Sequence, residues 1–468
     1  MTIRLSYLLF ITLLLFLKSP LLTQAEVPAY NKNLSLLGAP PDWSQLDIYQ
    51  HTIPYDEFYR LLTHVYAPRN TWKKTIRLKQ EYALILTDAN DWSKAYRLNF
   101  SSKTKGNLLH QDSIYSRTPN QLPPIIITED GVIPESPMKG ARILLDPGHI
   151  GGEWAKMEER WFQMGKDQPV TEGDMVLRVC QLIQKQLEAL DAEVLLTRGN
   201  ATPVNRLRPK DYEELARSKL KSWGLQNPAY NYQDHFNKNR TRTIQWQSEM
   251  MFYRVGEIRQ RAQLINSELK PDIALCLHFN AESWGNPNSP DLVDKNHLHF
   301  LINGCYLPYE LDYNDTRFEM MRRLLSRVYS SEVKATKSIS SSFVKTSELP
   351  PFRYLGHNAS ALTYDGYIWS RNLIANRLYQ CPTIFIEPYV MNSKEVYARL
   401  QAGEYEGLKE FNGKQRKNIY QEYADAIVQG LYDYYAQNRR YLSSDNSTFI
   451  PAAKLRPGIL KFNLRQEN

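Results

Sequence analysis

Three stretches of this chain are apolar at nearly every position: Ile143–Leu145, Ile273–Phe279 and Thr383–Ile386. A strand without polar alternation has no face to give to water, so it must be covered on both sides. Patterns of helical period separate these runs. Residues 171–190 put Val176, Val179, Cys180, Ile183 and Leu187 on one face, residues 256–269 are helical up to Pro271, and residues 418–436 form a closing amphipathic helix. Val194–Thr197 adds a further strand. Together they predict an α/β fold with a mixed, mostly parallel sheet and helices on both faces. In such a sheet, ligands and catalytic groups gather beyond the carboxyl ends of the strands.

The residues found at those ends are ionisable. The first strand runs into Asp146-Pro147-Gly148, which stops it, and then into His149 with Gly151-Gly152 behind. A lone histidine in a loop is ordinarily just hydrogen-bonded, so its meaning depends on partners. The strand from Ile273 carries His278 near its end, followed by Asn280, and the strand from Thr383 ends in Glu387. Glu172 opens the helix after the His149 loop, where an acid is also a plain partner of the helix dipole. Thr171 is the expected N-cap, with Asp174 completing a capping box. Two histidines and a carboxylate are the ligand set of many hydrolytic zinc sites, which keep a fourth position for water. Zinc lowers the pKa of that water to about 7. Glu387, left unliganded, would take its proton and pass it to the leaving amine.

The 468 residues suffice for two or three domains. Residues 1–25 read as a secretory leader: Arg4, an apolar run from Leu5 to Leu17, and Thr23-Gln24-Ala25 before the cleavage point. No later run approaches membrane-spanning length, so the mature chain is expected to be exported without a membrane span; the periplasm or cell envelope of a bacterium is the location that the resemblance given below implies. Residues 27–115 read as a small α+β N-terminal domain. It has a helix over Tyr55–Tyr66 capped by Asp56, and strands at Ile76–Leu78, Tyr82–Leu86 and Tyr96–Phe100. Trp43, Trp72 and Trp92 are either its core or platforms for sugar rings, so the domain either binds wall glycan or only holds the chain in place. Residues 116–139, with five prolines, read as a linker, residues 140–436 as the catalytic domain, and residues 437–468 as a basic, weakly patterned tail.

Apolar residues make up 42% and charged ones 23%, which excludes a disordered chain. The net charge of +8, with no dense Lys/Arg tract, would suit a cell wall, a nucleic acid or a lipid headgroup layer and selects none of them, a generally solvated basic surface fitting it as well; no nucleic-acid partner is expected. Cys180, Cys276, Cys305 and Cys381 form no C-x-x-C pair. They are therefore buried thiols or disulfide partners in an exported chain, not a structural zinc site.

Four segments, taken in order, resemble the zinc-dependent N-acetylmuramoyl-L-alanine amidases of the type 3 family over about residues 141–436. They are I-L-L-D-P-G-H-I-G-G; T-E-G-D-M-V-L-R-V followed by E-V-L-L-T-R; R-A-Q-L-I-N-S-E-L-K-P-D-I-A-L-C-L-H-F-N-A-E; and C-P-T-I-F-I-E-P-Y-V-M-N-S-K-E. The resemblance implies zinc held by His149, Glu172 and His278, with Glu387 as the catalytic carboxylate. It implies cleavage of peptidoglycan between the muramic acid lactyl group and L-alanine; the alternatives are a zinc carboxypeptidase or endopeptidase of the stem peptide, or an inactive wall-binding protein. Arg261 and Asn280 are the candidates for substrate or oxyanion contact, with Arg198 and Asn392 as further polar positions. His297, His299 and His357 are not expected to be ligands. The chain departs from the family at inserts 153–170 and 207–257. The first contains Glu153, Glu158 and Glu159, any of which is an alternative to Glu172. Residues 317–333 carry an amphipathic helix pattern in the region where some relatives hold a helix over the metal until an activator protein removes it.

Overall fold

A computed structural model describes residues 27–88, 91–102, 116–129, 132–232, 237–445 and 448–452. Its centre is a seven-stranded sheet. In chain order the strands are β1 Arg142–Pro147, β2 Glu193–Leu196, β3 Ile273–Leu277, β4 Leu298–Ile302, β5 Ser360–Ala361, β6 Ile368–Ser370 and β7 Thr383–Pro388. In space they run β5-β6-β4-β7-β3-β1-β2. β7, β3, β1 and β2 are parallel. β4 turns antiparallel against β7, keeps β6 parallel to itself, and β6 pairs β5 antiparallel.

Every residue of β3 and β4 is buried, because helices cover both faces. The helices Glu172–Glu188, Tyr329–Ser347 and Ile419–Asn438 pack on Ile143, Leu145, Leu275, Ile384 and Ile386. On the other face Ala262, Ala375 and Leu378, from the helices Glu257–Leu264 and Ile374–Leu378, pack on Leu144, Ala274, Cys276 and Phe385. Neighbouring residues of one strand thus serve opposite layers, as the strand period of two requires. The expected mixed, mostly parallel sheet with two-sided helical cover is the fold observed. The carboxyl ends of β1, β3 and β7 lie side by side in it.

The N-terminal unit has the expected three-stranded sheet, Ile76–Leu78, Tyr82–Ile85 and Tyr96–Asn99, all antiparallel. Its helix starts after Pro54, with Asp56 inside the first turn instead of at the cap. It does not, however, own its core. Phe58, Leu61, Leu62 and Leu98 share one cluster with Tyr306, Phe318, Met320, Met321 and Leu324. A unit of this size exposes too much surface to be stable easily alone, and the helix Asn314–Leu325 supplies the missing apolar face. The boundary expected near residue 115 therefore separates no independent body. Trp72 is buried in that core, Trp43 lies edge-on to Phe318 at 5.5 Å, and Trp92 carries the Arg77 guanidinium 3.7 Å above its ring.

Two further expectations are corrected. The proline-rich segment is not a free linker, because Ile125–Ile126 pairs with Tyr441–Leu442, which pairs with Phe449–Ile450. Arg439 ties the same place by donating to the carbonyls of Pro123, Pro137 and Lys139. The start of the basic tail thus folds onto the segment that precedes β1. The pattern over residues 317–333 splits into two helices, Asn314–Leu325 and Tyr329–Ser347. The first packs into the N-terminal core and the second onto the sheet, so packing accounts for their apolar faces. Arg323 and Glu332 form a buried ion pair between them, and Arg323 also caps the carbonyls of Tyr379 and Cys381. All four cysteines are buried free thiols. No helix among the described residues is long and apolar enough to cross a membrane. Residues 1–25, expected to be a leader, and Lys454, Arg456, Lys461 and Arg465 lie outside the described residues.

The shared core predicts coupled unfolding. Phe58→Ala on one side and Leu324→Ala on the other should each cost about 2–5 kcal/mol and lower the same thermal transition. Two resolved transitions in calorimetry, with only one moved by Phe58→Ala, would mean that the two parts unfold independently.

Candidate metal centre

The loop after β1 is built around a buried carboxylate. Asp146 accepts hydrogen bonds from Thr197 at 2.6 Å, Tyr379 at 2.6 Å and Arg261 at 2.9 Å. Burial pushes its carboxyl up, but Arg261 and the two hydroxyls outweigh burial and hold it below the usual range. Arg261 continues into the loop, donating to the carbonyls of Pro147 at 2.7 Å and His149 at 2.8 Å. Arg198 donates to the carbonyls of His149, Gly148 and Gly173. These bonds hold His149 in the left-handed region, at φ 57°, where a non-glycine residue is uncommon. A side chain at Gly148 would meet the His278 ring at 2.3 Å, and one at Gly173 the Gly151 backbone at 2.4 Å. Those glycines let the loop, the His278 strand and the start of the helix Glu172–Glu188 touch.

His149, Glu172 and His278 meet there, each offering a ligand atom within 4.8 Å of the others, the one such group among the described residues. His278 Nδ1 lies 3.0 Å from Glu172 Oε1, and His149 Nε2 lies 3.2 Å from Glu172 Oε2. Ligand bonds of about 2.0–2.2 Å around a tetrahedral zinc ion put neighbouring donors roughly 3.3–3.6 Å apart, so this donor set fits zinc. His278 is braced by Phe385, stacked at 5.4 Å. Glu172 is 2% exposed and also accepts the Phe279 N–H. Thr171 makes no capping bond, and Asp174 instead accepts the Gly152 N–H at 3.0 Å. The expected capping box is thus replaced by a clamp on the His149 loop.

The insert 153–170 closes around the cluster. Glu158, an alternative ligand in the sequence, is buried behind His149 with Oε1 3.6 Å from Nδ1. It also accepts the N–H groups of Ile150 and Gly151. A carboxylate on the far nitrogen of a ligating imidazole fixes its tautomer and raises its basicity. Glu159 turns away to Arg240, and Glu153 is exposed, leaving Glu172 as the carboxylate of the cluster. Arg160 Nε approaches Glu172 at 3.2 Å and lines a cavity of about 620 Å³ with Trp161, Arg240, Glu282 and Trp284.

Glu387 stands at the end of β7, next to β3 and His278. Burial holds its carboxyl above the usual range, with His278 pulling the other way. The remaining predicted residues have different duties. Arg261 is not an oxyanion donor: it is 3% exposed and binds Asp146, Glu257 and the loop carbonyls. Asn392, fully buried, ties Glu282 N–H to the Asp291 carbonyl. Asn280 points its amide at His297 and His299. Neither histidine belongs to the metal cluster, and burial drives His299 down to about 3. The sequence reading missed Glu158 as a brace, Arg160 as a neighbour and the whole β4 edge. The apolar run L-H-F-L-I at residues 298–302 is the signal that would have placed His299 on a strand.

The chain is similar to several solved amidases. Ami1, the N-acetylmuramyl-L-alanine amidase of Mycobacterium smegmatis, is 16% identical, with 64% of this chain and 98% of that one covered and a TM-score of 0.34. AmiC2 of Nostoc punctiforme is 13% identical over 63% and 98%, with a TM-score of 0.33. The CwlD amidase of Clostridioides difficile, solved in complex with the GerS lipoprotein, is 14% identical over 63% and 98%, with a TM-score of 0.32. No protein-family model and no curated protein matches the chain.

The bracing of the ligands predicts how the centre fails. Glu158→Gln should weaken zinc binding by about 10–100-fold while leaving the fold intact by circular dichroism. Gly148→Ala should displace the His278 ring and lose the metal in elemental analysis. Full zinc retention in both variants would mean that neither contact orients a ligand.

Proposed function

We propose that this chain is an exported zinc-dependent amidase of peptidoglycan. It would hydrolyse the bond between the lactyl group of N-acetylmuramic acid and the L-alanine of the stem peptide. The observation that carries the proposal is the His149–Glu172–His278 cluster with the carboxylate of Glu387 one strand away. The bond assignment rests on the four ordered sequence segments that resemble the type 3 amidases. Export rests on the leader-like residues 1–25 and suits a basic chain acting on an anionic wall.

His149, Glu172 and His278 would hold the ion, which when bound supplies Lewis acidity to the scissile carbonyl and to water. The chain's own part is proton movement and positioning. Glu387 takes a proton from the attacking water as a carbon–oxygen bond forms at the carbonyl. It returns a proton to the nitrogen as the carbon–nitrogen bond breaks. The products are a lactyl carboxylate and a stem peptide with a free L-alanine amino group. Burial of Glu387 favours its protonated form and so makes its carboxylate a stronger base. The cavity bordered by Arg160 and Trp284 offers room for substrate beside the ligands. His149 and His278 side chains keep 19% and 16% exposure, so we include no helical cover that an activator must lift.

The purified chain, analysed for metal and incubated alone with peptidoglycan, should contain one zinc and release stem peptides with free L-alanine termini by mass spectrometry. Cleavage at another amide would overturn the bond assignment, and inactivity restored by a partner would overturn the open site. Glu387→Ala should keep zinc and lose turnover, whereas His278→Ala should lose both. Residual turnover in the first variant would place the general base elsewhere.

A further inference from the structure

In the proposed amidase chemistry a hydrogen-bond donor to the oxygen of the scissile carbonyl would add to the ion's Lewis acidity, and neither residue expected to supply one is free to do so. Arg261 is buried behind the loop. Asn280 is held by a network whose polarity can be deduced bond by bond. Its Oδ1 accepts the Ala281 N–H at 2.7 Å. A backbone N–H only donates, so that atom is the amide oxygen and the other is the NH₂ group. The NH₂ faces His297 Nδ1 at 3.4 Å and His299 Nδ1 at 3.3 Å, and it too can only donate. Both Nδ1 atoms are therefore acceptors, and each neutral ring carries its hydrogen on Nε2.

In His299 that Nε2–H lies 2.9 Å from the hydroxyl oxygen of Tyr354. Arg371 Nη1, which also only donates, reaches the same oxygen at 3.2 Å. With two donors aimed at the oxygen, the hydroxyl hydrogen of Tyr354 must point away from both. The ring that carries it is clamped by Phe352 at 4.9 Å, Trp369 at 5.2 Å and His299 at 5.4 Å. Register places the network at the centre: His299 sits directly opposite Glu387 across the β4–β7 pair. Directly opposed residues rise from the same face, with Cβ atoms about 4.5–5.5 Å apart. Tyr354 also lies within electrostatic reach of Glu387 and is only partly buried.

We infer that Tyr354 is a catalytic residue of this site, its pre-aimed hydroxyl donating to the scissile carbonyl oxygen as negative charge develops on it. His299 and Asn280 are positioning residues that orient this hydroxyl. The inference rests on the amidase reading above. Electrostatic preorganisation of this kind is effective because the donor needs no reorientation during the reaction.

Tyr354→Phe removes one oxygen and keeps the ring packing. It should lower kcat by about 10²-fold with KM, zinc content and melting temperature unchanged. Adding His299→Phe to it should cause no further loss, since His299 acts through the missing hydroxyl. An unchanged kcat, a rise confined to KM, or an additive loss in the double variant would each overturn the assignment. Wild-type product analysis separates the two ideas. If the wild-type chain, alone or with an activating partner, yields no free L-alanine termini, the amidase reading itself fails. If it does and Tyr354→Phe matches it, only this inference fails.

Discussion

The buried ion pair between Asp146 and Arg261 is the interaction on which the site depends. Asp146 lies next to the end of β1, Arg261 lies on the helix Glu257–Leu264, and Glu257 completes the group by binding Arg261 at 2.8 Å. Glu257 also accepts the Val204 and Asn205 N–H groups, so one cluster fastens the sheet, a covering helix and the segment that leads into the 207–257 insert. Breaking a buried pair by removing one partner costs about 3–5 kcal/mol, because the other charge is left uncompensated. Here the pair also sets the path of the loop. Arg261 reaches the carbonyls on either side of Gly148, and without it nothing in β1 itself would hold His149 at a positive φ.

The two inserts extend this logic outward. Ile150, just after His149, packs in one apolar cluster with Tyr212, Leu215, Met251 and Phe252, and Trp154 lies against it. The insert 207–257 is therefore a buttress for the His149 loop, and the insert 153–170 provides its brace, Glu158. The same segments wall the cavity beside the cluster. The parallel strands β1, β3 and β7 lead to His149, His278 and Glu387, the helix Glu172–Glu188 adds Glu172, and the antiparallel strand β4 adds the His299–Tyr354 network from the other side of Glu387. The proposed chemistry is thus assembled at the seam where the sheet changes direction.

Much of this was legible in the amino-acid order. Apolar runs at β1, β3 and β7 fixed strands that need cover on both faces, and helical periods between them fixed what covers them. Those two facts alone put His149, His278 and Glu387 at one edge of the sheet, because parallel strands send their carboxyl ends to one edge, and the strand order then made them neighbours. Local patterns failed where the partner is remote in sequence. The N-terminal unit looks independent until Phe318 and Leu324 are seen in its core, and a proline-rich segment looks free until Tyr441 pairs with Ile125. The amphipathic face of residues 314–325 is real, but periodicity cannot say which surface it meets.

The same division holds within the site. Residue type and strand-end position determined the candidates, since imidazoles and carboxylates are the groups that bind zinc and move protons. Tertiary structure decided their roles. It chose Glu172 over Glu158 as the third member of the cluster, although both are glutamates downstream of one loop, because only Glu172 reaches both histidines. It made Arg261 a brace, and through the β4 register it set His299 opposite Glu387. Ligand geometry and hydrogen-bond direction depend on distances between atoms far apart in the chain, and only packing sets those distances.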